Sequence, residues 1–383
     1  MKTTPPITAK QPQADPGSLR RGWTTGACAT AATKAALSAL VTGRFPDEVS
    51  IRLPRGERPT FPLALERLRE DEATAGIVKD AGDDPDVTHG VTVIATVRFS
   101  QPGSGIQFRA GEGVGTVTRA GLPIAPGEPA INPAPRAMMR RVVEEICREH
   151  DIAADVEITL AIPDGAAIAH KTWNPRLGIV GGLSILGTTG IVRPFSCSAW
   201  IHSIHRGIDV ARAENLPHVL GATGATSETT ARALHQLPEI ACLDMGDFAG
   251  GLLKYLRAHP IPRLTLAGGF AKMTKLAQGA LDLHSGRSQV SFAFLSDLMQ
   301  TDAAANRPHK LIEDLKQRIL NANSALEVVD MTRNSGIDLA RPVALAAQKT
   351  ALKSLKGAPV DVDVIITDRK GAILAHVTHG SDR

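Results

Sequence analysis

Between residues 216 and 282 one local pattern comes three times: a short apolar run, a glycine turn and a helical stretch. LPHVLGATGATSETTARALHQL, EIACLDMGDFAGGLLKYLRAH and PRLTLAGGFAKMTKLAQGALD each read strand, loop, helix. Few arrangements accept such a run, because a strand followed by a helix that packs back on the sheet joins its neighbour by a right-handed parallel crossover. A mostly parallel, doubly wound α/β sheet is therefore predicted for residues 195–383. SAWIHSIHRGIDVARAEN predicts a helix leading into it, and helical segments fill roughly 308–356. VDVDVIITDRKGAILAHV reads as a closing hairpin whose place is left open.

The rhythm of residues 19–194 is different. TTGACATAATKAALSALVTG carries threonine at its start, an alanine-rich body and a closing glycine, the marks of a capped helix over 24–43. Short β-rich pieces follow from about 48 to 120: EVSIRL, FPLALE, GVTVIATVRF, GIQFRA and VGTVTRAG. PAPRAMMRRVVEEICREH reads as a second helix with proline at its first turn, and DVEITLAI as a further strand. Strands in runs without regular βα alternation predict an α+β domain. Residues 1–18, rich in Pro, Thr and Gln, read as a disordered leader without a signal-peptide core.

Composition narrows the function. Net charge is +4 without a Lys/Arg block, and aromatic content is 3%, which argue against nucleic acid as a partner. The stretch 177–192, LGIVGGLSILGTTGIV, is too short and too rich in Gly, Ser and Thr for a membrane span. Four scattered cysteines without a CxxC pair fit a reducing, cytoplasmic setting and neither a disulfide framework nor a zinc site. Oligomeric state is left open, a homo-oligomer included.

Two regions draw attention as sites. In a parallel sheet, ligands bind at the carboxyl ends of the strands. Gly221 and Gly224 follow one predicted strand and open a helix bearing Glu228 in its first turn; Gly268 and Gly269 stand likewise after LTLA. Asp244 ends the strand between them, twenty residues after Gly224, the distance at which a carboxylate commonly meets ribose hydroxyls. GxxG is not the dinucleotide fingerprint, so a nucleoside ligand without pyrophosphate, such as S-adenosylmethionine, competes with the plainer possibility of tight βα turns. The other region is KDAGDDPDVTHG, with Asp80, Asp83, Asp84, Asp86 and His89 within residues 79–90. It lacks the calcium register of an EF-hand. Four nearby carboxylates repel, so either one titrates high or Lys79 or an arginine compensates. GEGVG at 111–115 is not followed by GK[ST], which excludes a Walker loop and leaves a turn or bulge. His202 and His205 share a helix face without a visible third ligand, so a surface or interface role is favoured over a metal.

Taken in order, WTTGACATAATKAA, VKDAGDDPDVTHG, GEGVGTVTRAGLPIAPGEPAINPAPRAMM, KTWNPRLGIVGGLSILGTTGIVRPFS, GATGATSE, MGDFAGGLL and GGFAKMTKLAQG resemble the signatures of the CbiD family. The resemblance is dense over residues 19–290. It implies an α+β domain followed by a Rossmann-like α/β domain. It implies methyl transfer from S-adenosylmethionine to C-1 of cobalt-precorrin-5B, giving cobalt-precorrin-6A, in anaerobic-type cobalamin biosynthesis. Cobalt then arrives inside the substrate, and no protein-bound metal is expected. Spelling departs from the commoner family form at TTGACA, GATGAT and GGFAKMTK.

A polycarboxylate macrocycle suits arginine, so Arg119, Arg136, Arg176 and Arg193 in these motifs, with Lys171 behind them, are the candidate substrate ligands. The acidic loop is expected to orient or deprotonate the substrate near the accepting carbon, through one or more of Asp80, Asp83, Asp84, Asp86 and His89. The residues alone leave two rivals: a metal-dependent hydrolase or phosphotransferase using that loop, and a non-catalytic corrinoid-binding protein.

Overall fold

The alanine-rich stretch forms helix α1 (Thr25–Thr42). The Thr24 hydroxyl accepts the Ala27 amide at its start, and Gly43, at φ 78°, closes it in the left-handed region. Most of α1 is buried, and a helix of methyl side chains can lie close on a sheet that answers with small residues. This computed structural model describes residues 19–299 and 307–380, so the expected disordered leader, residues 1–18, lies outside the described residues. The chain divides into two compact units. Among the described residues, the first contains residues 19–118, Pro123–Pro175 and Ile179–Ser196; the second contains Arg119–Leu122, Arg176–Gly178 and the described residues from Cys197 onward.

In the first unit, β4 (Leu65–Leu68), β5 (Glu72–Val78), β6 (Thr92–Phe99), β9 (Val156–Ala161) and β7 (Ile106–Ala110) form one sheet in that order. All neighbours are antiparallel except β7 and β9. Ala73, Ala75 and Ile77 on β5, Val93, Ala95 and Val97 on β6, and Val156, Ile158 and Leu160 on β9 alternate onto the core face. Helices α1 and α2 (Pro133–Glu149) pack together in this core. Strand β5 is absent from the sequence reading: EATAGIV is built of Ala, Gly and Thr, weak as a strand signal. Its alanines are what the alanine helix requires beneath it. Short pairs complete the unit: β1 (Gly22–Trp23) with β11 (Ile191–Val192), β2 (Glu48–Ser50) with β3 (Thr60–Pro62), and β8 (Thr116–Val117) with β10 (Ile179–Val180). A single-turn helix, α3 (Gly165–Ala169), follows β9.

The second unit opens with α4 (Cys197–Ala213), then alternates β12 (His218–Ala222), α5 (Ala225–His235), β13 (Cys242–Asp244), α6 (Ala249–Ala258), β14 (Arg263–Gly269) and α7 (Phe270–Ala277). Helices α8 (Phe292–Met299), α9 (His309–Leu320), α10 (Ala325–Asn334) and α11 (Ala340–Leu355) follow, then β15 (Asp361–Thr367) and β16 (Ile373–Val377). The sheet runs β13-β12-β14-β15-β16, parallel as far as β15, with β16 antiparallel at the edge. The closing hairpin thus contributes one interior parallel strand and one edge strand. Leu252, Leu256, Leu264, Leu266, Val343, Ala347, Val362 and Val364 share the main core of this unit. The whole is a mixed α/β chain with both parallel and antiparallel sheet. Among the described residues no helix is long and apolar enough to cross a membrane.

Candidate active site

The acidic stretch is the connection between β5 and β6, and the ladder continues into it: Lys79 donates its amide to Val91 O at 2.8 Å and Gly90 to Lys79 O at 2.8 Å. Lys79 then turns its side chain inward, 1% exposed, and meets Asp86 Oδ2 at 2.5 Å and the Thr88 hydroxyl at 2.7 Å. Asp86 Oδ1 accepts from the Thr88 amide at 2.8 Å and hydroxyl at 2.6 Å. Burial by itself would push the Asp86 carboxyl up; the Lys79 charge and the bonds from Lys79 and Thr88 outweigh it and hold the group below its ordinary value.

Asp80 and Asp83 are organised from outside the loop, by Arg20. Its guanidinium grips both oxygens of Asp80, and its backbone amide donates to Asp83 Oδ2 at 2.6 Å. The Arg20 bonds, with a second contribution from the Gly82 amide, bring the Asp80 carboxyl down to about 2. Segment 20–23 passes so close to 80–83 that a Cβ on Gly22 would stand 2.0 Å from the Ala81 carbonyl carbon; one on Gly82 would stand 2.2 Å from Arg20 O. Only glycine permits that crossing. Asp84 Oδ1 accepts the amide of Phe195, an exposed residue at φ 55°. His89 Nδ1 accepts the Ala81 amide at 3.1 Å, so the neutral ring carries its proton on Nε2 and offers a donor there. The charge compensation expected of this loop comes from Lys79 and from Arg20, a residue the sequence reading did not single out. Cys28 is no nucleophile: burial pushes its thiol up to about 12.

In the second unit the carboxyl ends of β12, β13 and β14 form a second candidate site. Gly224 and Gly269 precede α5 and α7, and a Cβ on either would meet nothing within 4 Å. Gly221 does not belong to the turn: it lies inside β12, where a Cβ would stand 2.5 Å from Leu252 Cδ2. Gly268 is the last residue but one of β14 and lies beside Thr223. Asp244 ends β13; burial first, then the neighbouring Glu228 charge, raise its carboxyl above the ordinary value. Lys272 donates to Thr223 O at 3.1 Å and stands 2.9 Å from Asp247 Oδ1, while the Trp200 indole donates to Asp244 O at 2.9 Å. Lys272 and Asp247 fall in GGFAKMTK and MGDFAGGLL, motifs in which nothing local to the sequence marks these two side chains.

The candidate substrate cations divide in two. Arg176 makes a double contact with Glu228, at 3.0 and 2.6 Å, joining one expected substrate ligand to one expected cofactor ligand. Arg119 pairs with Glu214 at 3.2 Å. Arg136 donates to Ile131 O, Pro129 O and Glu128, bracing the turn into α2. Lys171 and Arg193 are exposed. The glycines of GEGVG serve backbone packing: Gly111 donates to Leu160 O, Gly115 to Leu183 O, and Gly113, at φ 68°, passes against Ile162 O. His202 and His205 stack at 6.2 Å between ring centroids, and His205 stacks in turn on Tyr255 at 3.9 Å.

A glycine-turned parallel sheet in one unit and, in the other, an acidic loop locked by a buried lysine define a two-unit α/β protein. Residues 12–194 match the CbiD family model and residues 282–378 match the CbiD C-terminal domain. The chain is 67% identical over 359 residues to a cobalt-precorrin-5B C(1)-methyltransferase of Brucella canis, covering 94% of this chain and 96% of the relative. It is 64% identical over 374 residues to the protein of that name from Brucella anthropi, covering 98% and 99%. A 1.9 Å crystal structure of cobalamin biosynthesis protein (cbiD) from Archaeoglobus fulgidus is 27% identical, covering 66% of this chain and 77% of that one, at a TM-score of 0.37. This chain belongs to the CbiD family.

Proposed function

We propose that the chain transfers a methyl group from S-adenosylmethionine to C-1 of cobalt-precorrin-5B, giving cobalt-precorrin-6A in cobalamin biosynthesis. The observation that carries this is identity of 64–67% over nearly the whole chain to proteins bearing that name. The second unit reads as Rossmann-like: its sheet reverses direction of growth between β12 and β14, the position where open parallel sheets take ligands. The residues there fit a nucleoside donor. Gly224 and Gly269 leave room at the strand ends, Asp244 is placed for ribose hydroxyls, and the Trp200 indole gives an apolar surface. Asp247 and Lys272 hold the Thr223 turn in place. Negative charge at this edge favours a sulfonium cation.

A methyl sulfonium is already a strong electrophile, so the protein's work is alignment, exclusion of water and control of one proton. In the first unit Asp80 and Asp86 are locked as carboxylates by Arg20 and Lys79; these two shape the loop. Asp83 and Asp84 each keep one oxygen beyond a single backbone bond, and Asp84, the less exposed of the two, is taken as the residue of this loop that accepts a proton. His89, whose Nδ1 accepts the Ala81 amide, serves through Nε2–H as a donor to a substrate oxygen and not as a base. Lys171 and Arg193 are the cations for substrate carboxylates; Arg119, Arg136 and Arg176 would have to release carboxylates they now hold. Four free cysteines fit a cytoplasmic setting.

Incubating the chain with cobalt-precorrin-5B and isotopically labelled S-adenosylmethionine tests this. The expected outcome is one labelled methyl per macrocycle, placed at C-1 by NMR, with S-adenosylhomocysteine formed in equal amount. Tight corrinoid binding with no methyl transfer under excess donor would instead favour a binding protein.

A further inference from the structure

At the amino-terminal end of the second unit's sheet, opposite the glycine turns, lies a group of side chains that methyl transfer does not use. Asp363, near the start of β15, is wholly buried. Its Oδ2 accepts from Arg263 Nε at 2.7 Å and Nη2 at 2.6 Å, and its Oδ1 accepts the His379 amide at 2.9 Å. His235, the last residue of α5, and His376 on β16 stand against it. One ligand atom from each of the three lies within 4.8 Å of the other two. The imidazoles meet edge to face at 5.6 Å between centroids. Nε2 of His235 and Nε2 of His376 are both shut off from solvent and have no hydrogen-bond partner among the described residues.

A buried polar atom without a partner opposes folding, and each such atom calls for a reason. Two beside one carboxylate call for a common one. A carboxylate has about four lone-pair positions, and Arg263 and His379 occupy three, leaving one. Two imidazole nitrogens and one carboxylate oxygen are a donor set for late first-row divalent ions and a poor one for magnesium or calcium. Arg263 has the place of an outer partner that fixes the carboxylate. His218 is the remaining neighbour: its ring lies 5.0 Å from that of His235, and its Nε2 is 2.8 Å from the Thr265 hydroxyl.

We propose that His235, Asp363 and His376 bind one zinc-class divalent ion as a structural clasp joining α5, β15 and β16. Bonds of about 2.0–2.1 Å require the three atoms to draw together to roughly 3.4 Å, a closure that rotation of the two rings must supply. The clasp lies away from the candidate donor turns, so its role is stability and not the methyl transfer. It replaces the sequence expectation of no protein-bound metal, which rested on the chemistry of the reaction alone.

The test uses the full chain stripped with chelator and then titrated with zinc against a chromophoric competitor. One equivalent should bind, with a rise in Tm of about 5 °C at a hundredfold excess over Kd. Cobalt(II) in its place should give the intense visible bands of a four-coordinate site, and X-ray absorption on the zinc form should show imidazole scattering. The variants His235→Gln and His376→Gln should each lose the equivalent, while His202→Gln should keep it. Zinc uptake without imidazole scattering, uptake unchanged in the two variants, or no bound equivalent and no shift in Tm would each overturn the clasp. The last result would leave bridging water as the occupant. The absorption spectrum is read on the parent chain, so it decides the matter even where a variant fails to fold. Methyl transfer by metal-stripped chain separates this outcome from any failure of the proposed activity.

Discussion

Lys79→Met isolates what holds the acidic loop together. Methionine keeps most of the buried stem and removes the ammonium, so Asp86 retains its two bonds from Thr88 and loses its cation. Removing one partner of a buried ion pair costs about 3–5 kcal/mol, because the other charge stays behind unpaired. The Asp86 side chain is 26% exposed, and that contact with water places the expected loss at about 3 kcal/mol, the low end of the range. The pH dependence then changes sign. In the parent chain the folded Asp86 pKa is depressed, so its contribution is present above the unfolded value of about 4 and is lost as pH falls through the folded value. In the variant, burial is opposed by no cation, the folded pKa rises above the unfolded one, and the charged form becomes the penalty. Urea unfolding followed by tryptophan fluorescence should show the gap between parent and variant at pH 7 shrinking as pH falls toward about 4. Lys79→Met/Asp86→Asn should recover about 2 kcal/mol of the loss. A loss below about 0.5 kcal/mol at pH 7, or a gap that does not change with pH, would refute the placement of Lys79 as the loop's buried counter-charge.

Asp84→Asn preserves the acceptor for the Phe195 amide while removing the charge; turnover should fall about 100-fold with donor affinity within about twofold, and unchanged turnover would remove Asp84 as the base. Lys272→Ala frees the Thr223 turn and should weaken S-adenosylhomocysteine binding about tenfold by calorimetry, with an unchanged Kd telling against the strand-end donor site. Arg20 first and the Gly82 amide second hold the Asp80 carboxyl down at about 2, so its stabilisation is present above about 4 and lost as pH falls toward 2; in Arg20→Gln, where the Gly82 bond remains, its carboxyl NMR titration should move up toward about 4. Ala32→Leu, inside the closely packed α1, should cost about 1–3 kcal/mol in urea unfolding, and a neutral result would mean the helix does not lie tight on its sheet.

What the sequence disclosed follows from how local its signals are. Helix α1 was readable because Thr24 and Gly43 mark its two ends within one stretch, and the βα units because each glycine turn sits beside its own strand and helix. Strand β5 was not readable: its alanines make sense only against α1, some forty residues away. Gly221 was read as a turn residue for a like reason, since the Leu252 side chain that needs its empty Cβ position belongs to a different helix. Partners distant in the chain were equally hidden. Arg176 and Glu228 were each singled out, for different ligands, and they bind one another. The Arg20–Asp80 lock and the His235–Asp363–His376 group left no spacing to detect, because the sheets bring those residues together and the chain does not.

Arg263 of β14 pairs with Asp361 of β15, 98 positions further along, and the register holds for seven pairs. At about 5–20 residues per second, synthesis leaves that flank of β14 without its neighbour for roughly 5–20 s. Through that interval a strand buried at the centre of the finished sheet is an open edge, its amides and carbonyls free to pair with another nascent chain. Yield in a heterologous host should therefore depend on translation speed between residues 270 and 360 and on chaperone supply, more than on any property of the completed fold.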